Sequence, residues 1–301
     1  MIEAFCVAGH TFHLQMPDGH PLWPCLTQYG PFVTEPVSDP LFTVELVDSL
    51  PELELKPLFV NEPEDEGQPR LDLYTSPEGM VIEMAPISTA PVCSRLLATR
   101  DYRHGRLLIT RRNKFSALFS INNALMLLYA FCSAPYMTLE MHSSVISNSG
   151  RGYMFLGKSG TGKSTHSSLW LKHIPGSVLL NDDNPVVRVW PDGRIIVYGT
   201  PWSGKTPCYK NLECPVGAFV RIRRCGENRI TPLSVVEAYA LLYSSCSGLK
   251  SDPEMGDGLH ASLEAAALNV PAYVLDCRPD GESAFVSSEE LLKNGKADTA
   301  E

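Results

Sequence analysis

Two hydrophobic patterns divide the chain. Up to about residue 100, short stretches alternate or concentrate β-formers, as at 42–47, 71–74 and 81–84. Turn signals separate them, including Pro17-Asp18-Gly19 and Pro77-Glu78-Gly79. Over 115–136 the period lengthens. Leu118, Ile121, Leu125, Leu128 and Tyr129 share one face of a helix, and Pro135 ends it. Strands are then predicted at 137–146 and 153–156, and a helix at 165–172 that breaks at Pro175-Gly176. A strand at 177–180 runs into Asn181-Asp182-Asp183-Asn184. A hairpin over 186–190 and 194–198 turns at Pro191-Asp192-Gly193. A strand at 216–222, helices at 234–245 and 258–268, and a strand at 272–276 follow. Ser287-Ser288-Glu289-Glu290 reads as the capped start of a short last helix. The order predicts an α/β chain: a β-rich N-terminal domain over 1–110 and a second domain with a mixed sheet over 111–301.

Composition narrows the class. The 301 residues are 44% hydrophobic and 20% charged, with a formal net charge of -9. That balance argues against nucleic acid or an anionic membrane as the main partner. The most apolar run, 124–132, is read as too short to span a bilayer, and Met1–Cys6 carries no signal-peptide pattern. Nine cysteines without a C-x-x-C suggest reduced thiols in a cytoplasmic protein. His10 and His13 would point to opposite faces of a strand, so they and His20 make a poor metal set. The acidic run 62–66 reads as a solvated loop. Arg100, Arg103, Arg106, Arg111, Arg112 and Lys114 read as a solvated connector, or as a docking surface for an acidic or phosphorylated group.

The candidate chemistry lies between the strand at 153–156 and the helix that follows. Gly157-Lys158-Ser159-Gly160-Thr161-Gly162-Lys163-Ser164 fits the phosphate-binding pattern G-x-x-x-x-G-K-[ST], continued by Thr165. Glycines let the backbone curl so that successive N–H groups face phosphate oxygens, and the helix N-terminus adds its positive end. Lys163, expected to face solvent, can reach the β- and γ-phosphates, and Ser164 can ligate Mg²⁺. Asp182 and Asp183, expected on a loop behind a strand, can divide metal binding and general-base work. His142 precedes Gly157 closely enough for a hairpin to return it beside the loop. Lys205, in the loop 199–205, is a candidate phosphate clamp; His166 is expected to pack or cap.

The loop, the later Asn181-Asp182-Asp183 and the upstream His142 resemble the C-terminal domain of HPr kinase/phosphorylase, which shares its fold with phosphoenolpyruvate carboxykinase. The resemblance covers roughly 137–205. It implies a carboxykinase-like P-loop domain following the β-rich domain read from the strand pattern, with ATP and Mg²⁺ as cofactors and a homo-oligomer. It also implies Lys163 on the phosphates, Ser164 and one aspartate on Mg²⁺, the other aspartate as base, and His142 assisting. The implied activity is phosphoryl transfer to a hydroxyl of an unidentified protein or small-molecule acceptor. A non-catalytic nucleotide switch or scaffold and a carboxykinase-type enzyme acting on a small acid are the alternatives.

Overall fold

The computed structural model describes residues 1–60, 67–111, 113–204 and 206–293. The acidic run 62–66, Arg112 and Lys205 therefore lie outside the described residues. The chain is mixed α/β, with more strand than helix, and divides into two compact units, Met1–Ser133 and Ala134–Glu301.

The first unit holds strands β1 (Ile2–Val7), β2 (His10–Gln15), β3 (Val33–Thr34), β4 (Thr43–Val47), β5 (Lys56–Phe59), β6 (Arg70–Ser76), β7 (Gly79–Ala85), β8 (Ser94–Ala98) and β9 (His104–Ile109). One helix, α1 (Lys114–Ser133), follows them. The strands form one sheet in the order β3-β1-β2-β4-β9-β8-β7-β6-β5. Its pairs are antiparallel except β2–β4 and β4–β9. Asn113 opens α1 by accepting from the Ser116 N–H at 2.9 Å. Ile121, Leu125, Leu128 and Tyr129 are fully buried, as their helical spacing requires. Tyr129 packs on Phe12, and its hydroxyl donates to the Val7 carbonyl at 3.0 Å. These contacts join α1 to the first unit, so the division falls after the helix rather than near residue 110. The apolar run 124–132 is part of a stretch, Lys114–Tyr136, that is long and apolar enough to cross a membrane by length and composition. Most of that window is buried, with α1 packed on β8 and β9. His10 and His13 are both buried in β2, one against Tyr129 and the other accepting from the Val37 N–H. Among the described residues no His, Cys, Asp and Glu side chains form a metal-holding group of three or more.

The second unit holds strands β10 (Thr138–Glu140), β11 (Ser143–Asn148), β12 (Arg151–Leu156), β13 (Val178–Asp183), β14 (Val186–Val189), β15 (Ile195–Tyr198), β16 (Glu213–Arg224), β17 (Arg229–Pro232) and β18 (Ala272–Cys277). Its helices are α2 (Lys163–His173), α3 (Val235–Ser245), α4 (Pro253–Asn269) and α5 (Gly281–Leu291). The sheet runs β10-β14-β15-β16-β12-β11-β13, with β18 joined to β16 and β17. It is mixed, because β12–β16 and β16–β18 are parallel and the other pairs antiparallel. Tyr153 and Phe155 of β12, Val220 and Ile222 of β16, and Leu275 of β18 share a core with Trp170 of α2 and Ala284 of α5.

Three local expectations change. The strand expected over 137–146 is two strands, interrupted at Met141 and His142, where the His142 N–H donates to the Ser245 carbonyl at 2.8 Å. Strand β13 runs on through Asp182 and Asp183, which are not in a loop, because β11 pairs with both. The last helix starts at the Asp280 cap, not at Ser287. Ser287 is buried inside it and accepts from the Trp170 indole N–H at 2.9 Å.

Candidate functional site

The loop 157–162 joins the end of β12 to the first turn of α2. Gly157, Gly160 and Gly162 have φ of +148°, +76° and +110°, a region that disfavours side chains. A Cβ at Gly157 would also lie 2.8 Å from the Thr161 hydroxyl oxygen. These residues therefore form a curled loop with the N-terminus of α2 at its base, the arrangement that suits phosphate.

Lys163 is only 8% exposed, contrary to the expectation that it faces solvent. Its ammonium folds back into the loop to donate to the Gly157 carbonyl at 2.9 Å and the Lys158 carbonyl at 3.4 Å. Burial holds its pKa below the ordinary value, while Asp183 and Asp182 act in the opposite direction. Arg224, at the end of β16, donates to the Gly160 carbonyl and, at 3.3 Å, to the Thr161 carbonyl. Two cations thus hold carbonyls at both ends of the loop.

The ladder brings the acids to the same place. On β11, Ser143 stands opposite Leu156 of β12 and Asp183 of β13, and Ser144 stands opposite Phe155 and Asp182. Asp182 and Asp183 are therefore two strands, roughly 10 Å of sheet, from the strand that carries the loop. The side chains close that gap. The Ser164 hydroxyl donates to Asp182 Oδ1 at 2.9 Å. His142 Nε2 lies 3.6 Å from Asp183 Oδ1. The two aspartates face different partners, one in the loop's helix and one at the break between β10 and β11. Asp183 has φ of +137°, unusual for a residue with a side chain. The segment 200–204 packs over it: Ser203 bridges to Asp183, and the Gly204 N–H donates to the Asp182 carbonyl at 2.6 Å.

His142 is about half exposed, and its pKa is lowered by burial and by the Lys163 charge, with Asp183 opposing. Its imidazole is thereby biased toward the neutral form, which can accept a proton. His166 is buried as expected and accepts from the Trp170 indole N–H at 3.2 Å, while its ring also forms part of the lining of a cavity beside the loop.

A hard cation fits the Ser164–Asp182 pair, since a hydroxyl and a carboxylate already within one hydrogen bond supply two oxygen ligands. A Mg²⁺ held there would have to take its remaining ligands from other oxygens, such as phosphate and water. Two cavities adjoin the loop. One of about 370 Å³ is lined by Thr161, Thr165, Leu169, Ile222, Arg224 and Arg278. The other, of about 510 Å³, is lined by His142, Gly157, Lys158, Ser159, Arg221 and residues of α3.

Sequence reasoning missed Glu140, Arg221 and Arg224. Arg221 and Arg224 end a strand parallel to the loop-bearing strand, and the run Arg221-Ile222-Arg223-Arg224 was the available signal. Glu140 carries no local signal. It is 1% exposed, neither carboxylate oxygen has a hydrogen-bond partner among the described residues, and burial, with a smaller effect of Asp183, pushes its pKa up to about 8. No protein-family model matches this chain, nor does any curated protein.

Proposed function

We propose that the second unit is an ATP- and Mg²⁺-dependent kinase that transfers the terminal phosphoryl group to a hydroxyl, as the resemblance to HPr kinase implies. One observation carries the reading: Ser164–Asp182 and His142–Asp183 form two separate pairs beside Lys163 and the glycine loop. A site that only bound nucleotide would need the first pair and not the second.

The loop N–H groups and Lys163 hold the phosphates, Lys163 exchanging its carbonyl partners for phosphate oxygens. Ser164 and Asp182 would hold Mg²⁺, which when bound offsets charge on the transferred group. The Asp183–His142 pair takes the acceptor's proton. The 370 Å³ cavity, with apolar Leu169 and Ile222 in its lining and the second half of the loop at its edge, suits a nucleoside.

Asn substitution at each aspartate, which keeps shape and removes charge, separates the roles. Asp182→Asn is expected to weaken MgATP binding together with turnover. Asp183→Asn is expected to leave binding nearly intact and slow transfer about 10²–10⁴-fold, the usual worth of general-base help. The readouts are calorimetric MgATP affinity and release of ADP. Unchanged binding and turnover in both variants would refute the kinase reading. Binding without any Asp183-dependent turnover would favour a nucleotide switch.

A further inference from the structure

The 510 Å³ cavity adjoins the proposed catalytic pair and differs in charge from the protein as a whole. His142 lines it, with Asp183 3.6 Å away. The first half of the loop, Gly157 to Ser159, forms one wall, whereas Thr161, Gly162 and Thr165 line the smaller cavity. A nucleotide whose nucleoside occupies the smaller cavity therefore directs its terminal phosphate toward the larger one.

Lys158 and Arg221 both line this larger cavity, and both are exposed. Neither side chain has an ion-pair partner among the described residues. One acidic residue, Glu237, also lines it, but its carboxylate is engaged in the cap of α3. It accepts from the Ser234 N–H at 2.9 Å and the Ser234 hydroxyl at 2.6 Å. Glu237 keeps its charge in that cap, so this wall sets two cations against one anion, a small positive excess in a chain of net charge -9 and next to the proposed phosphoryl-transfer site. Arg221 also stands on a rigid support, being paired with Leu156 of β12 on one side and Val274 of β18 on the other. The pairing fixes its backbone, and its exposed guanidinium, free to reach into the cavity, can bind a carboxylate through two parallel N–H bonds.

We infer that the cavity holds the phosphoryl acceptor and that the acceptor is a small hydroxy acid whose carboxylate is bound by Arg221, with Lys158 adding charge. This rests on the kinase reading and names its substrate class. The volume is within the range of small-molecule sites. In the transfer, the acceptor's hydroxyl oxygen bonds to the γ-phosphorus. The bond from that phosphorus to the β–γ bridging oxygen breaks, and its electron pair leaves with ADP. The hydroxyl proton passes to the Asp183–His142 pair. The two cations offset the repulsion between the acid and the triphosphate.

The test uses the full chain with MgATP and three hydroxy acids, glycerate, 3-hydroxybutyrate and L-serine, each beside its uncharged-carboxyl counterpart, the amide. ADP release and the phosphoester product, identified by mass spectrometry, are followed. At least one acid is expected to be phosphorylated with kcat/KM tenfold or more above its amide. Arg221→Gln is expected to remove that preference by raising KM for the acid at least tenfold. Its MgATP dissociation constant, measured by calorimetry, should stay within about twofold of wild type. Lys158→Gln should raise the same KM to a smaller extent.

Acids no better than amides, phosphorylation of none of the acids, or an Arg221→Gln variant that loses MgATP affinity would each overturn the inference; the last would place the arginine on the nucleotide. A wild-type chain that fails to bind MgATP refutes the kinase reading itself. Lys163-dependent MgATP binding and hydrolysis without acid preference refutes the acceptor assignment alone.

Discussion

Replacing Lys163 by Met separates the two roles its position imposes. Met keeps most of the buried stem and removes the ammonium, so it adds little cavity, unlike Ala. The stability cost follows from what the ammonium touches. It donates one good bond, to the Gly157 carbonyl at 2.9 Å, and one long one, to the Lys158 carbonyl at 3.4 Å. Bonds from a charged donor contribute about 1.5–3 kcal/mol. Burial opposes this, since it lowers the Lys163 pKa even with Asp183 and Asp182 acting the other way. The net loss is expected at about 1–2 kcal/mol, a fall in Tm of roughly 2–8 °C for a unit of this size. Nucleotide affinity should fall much further. Losing a charged contact to two phosphates, about 3 kcal/mol, corresponds to roughly two orders of magnitude in Kd. Circular-dichroism melting and calorimetric titration with MgATP read the two quantities independently. A cooperatively folded variant with unchanged MgATP affinity would refute the phosphate assignment of the loop. Loss of cooperative unfolding would refute the claim that the buried ammonium is only marginally stabilising.

Two further outcomes concern buried titrating groups. Glu140 is raised to about 8 by burial and by Asp183, so the unfolded chain ionises it first and stability falls as pH rises from about 4.5 toward 8. By pH 7 the loss is on the order of 3 kcal/mol, and Glu140→Gln should remove that slope in urea denaturation; an unaltered slope would refute it. His166 is lowered to about 4 by burial, so its contribution runs the other way: stability is lost as pH falls from about 6.5 to 4, by an amount on the order of 3 kcal/mol. His166→Gln should flatten acid unfolding in that window, and an identical acid transition would show that His166 does not titrate there.

What the sequence determined by itself was local. The glycines at 157, 160 and 162 require positive φ, so the loop was legible wherever the rest of the chain went. Apolar runs identified β12 and the start of β13, and the helical period identified the buried face of α1, because both patterns depend only on neighbouring residues. The names of the site residues were readable for the same reason: motif positions are intervals along the chain. Tertiary structure alone decided what those residues do to one another. Pairing with β11 carried β13 through Asp182 and Asp183, and only that register put one aspartate on Ser164 and the other on His142. The break at His142 exists because its N–H is taken by Ser245, a hundred residues downstream, roughly the distance between β11 and the end of α3. Lys163 is buried, Glu140 is left unpaired and Arg221 stands beside the loop because strands and helices distant in sequence close around them. Burial and strand register are sums over non-local contacts, and no interval along the chain encodes them.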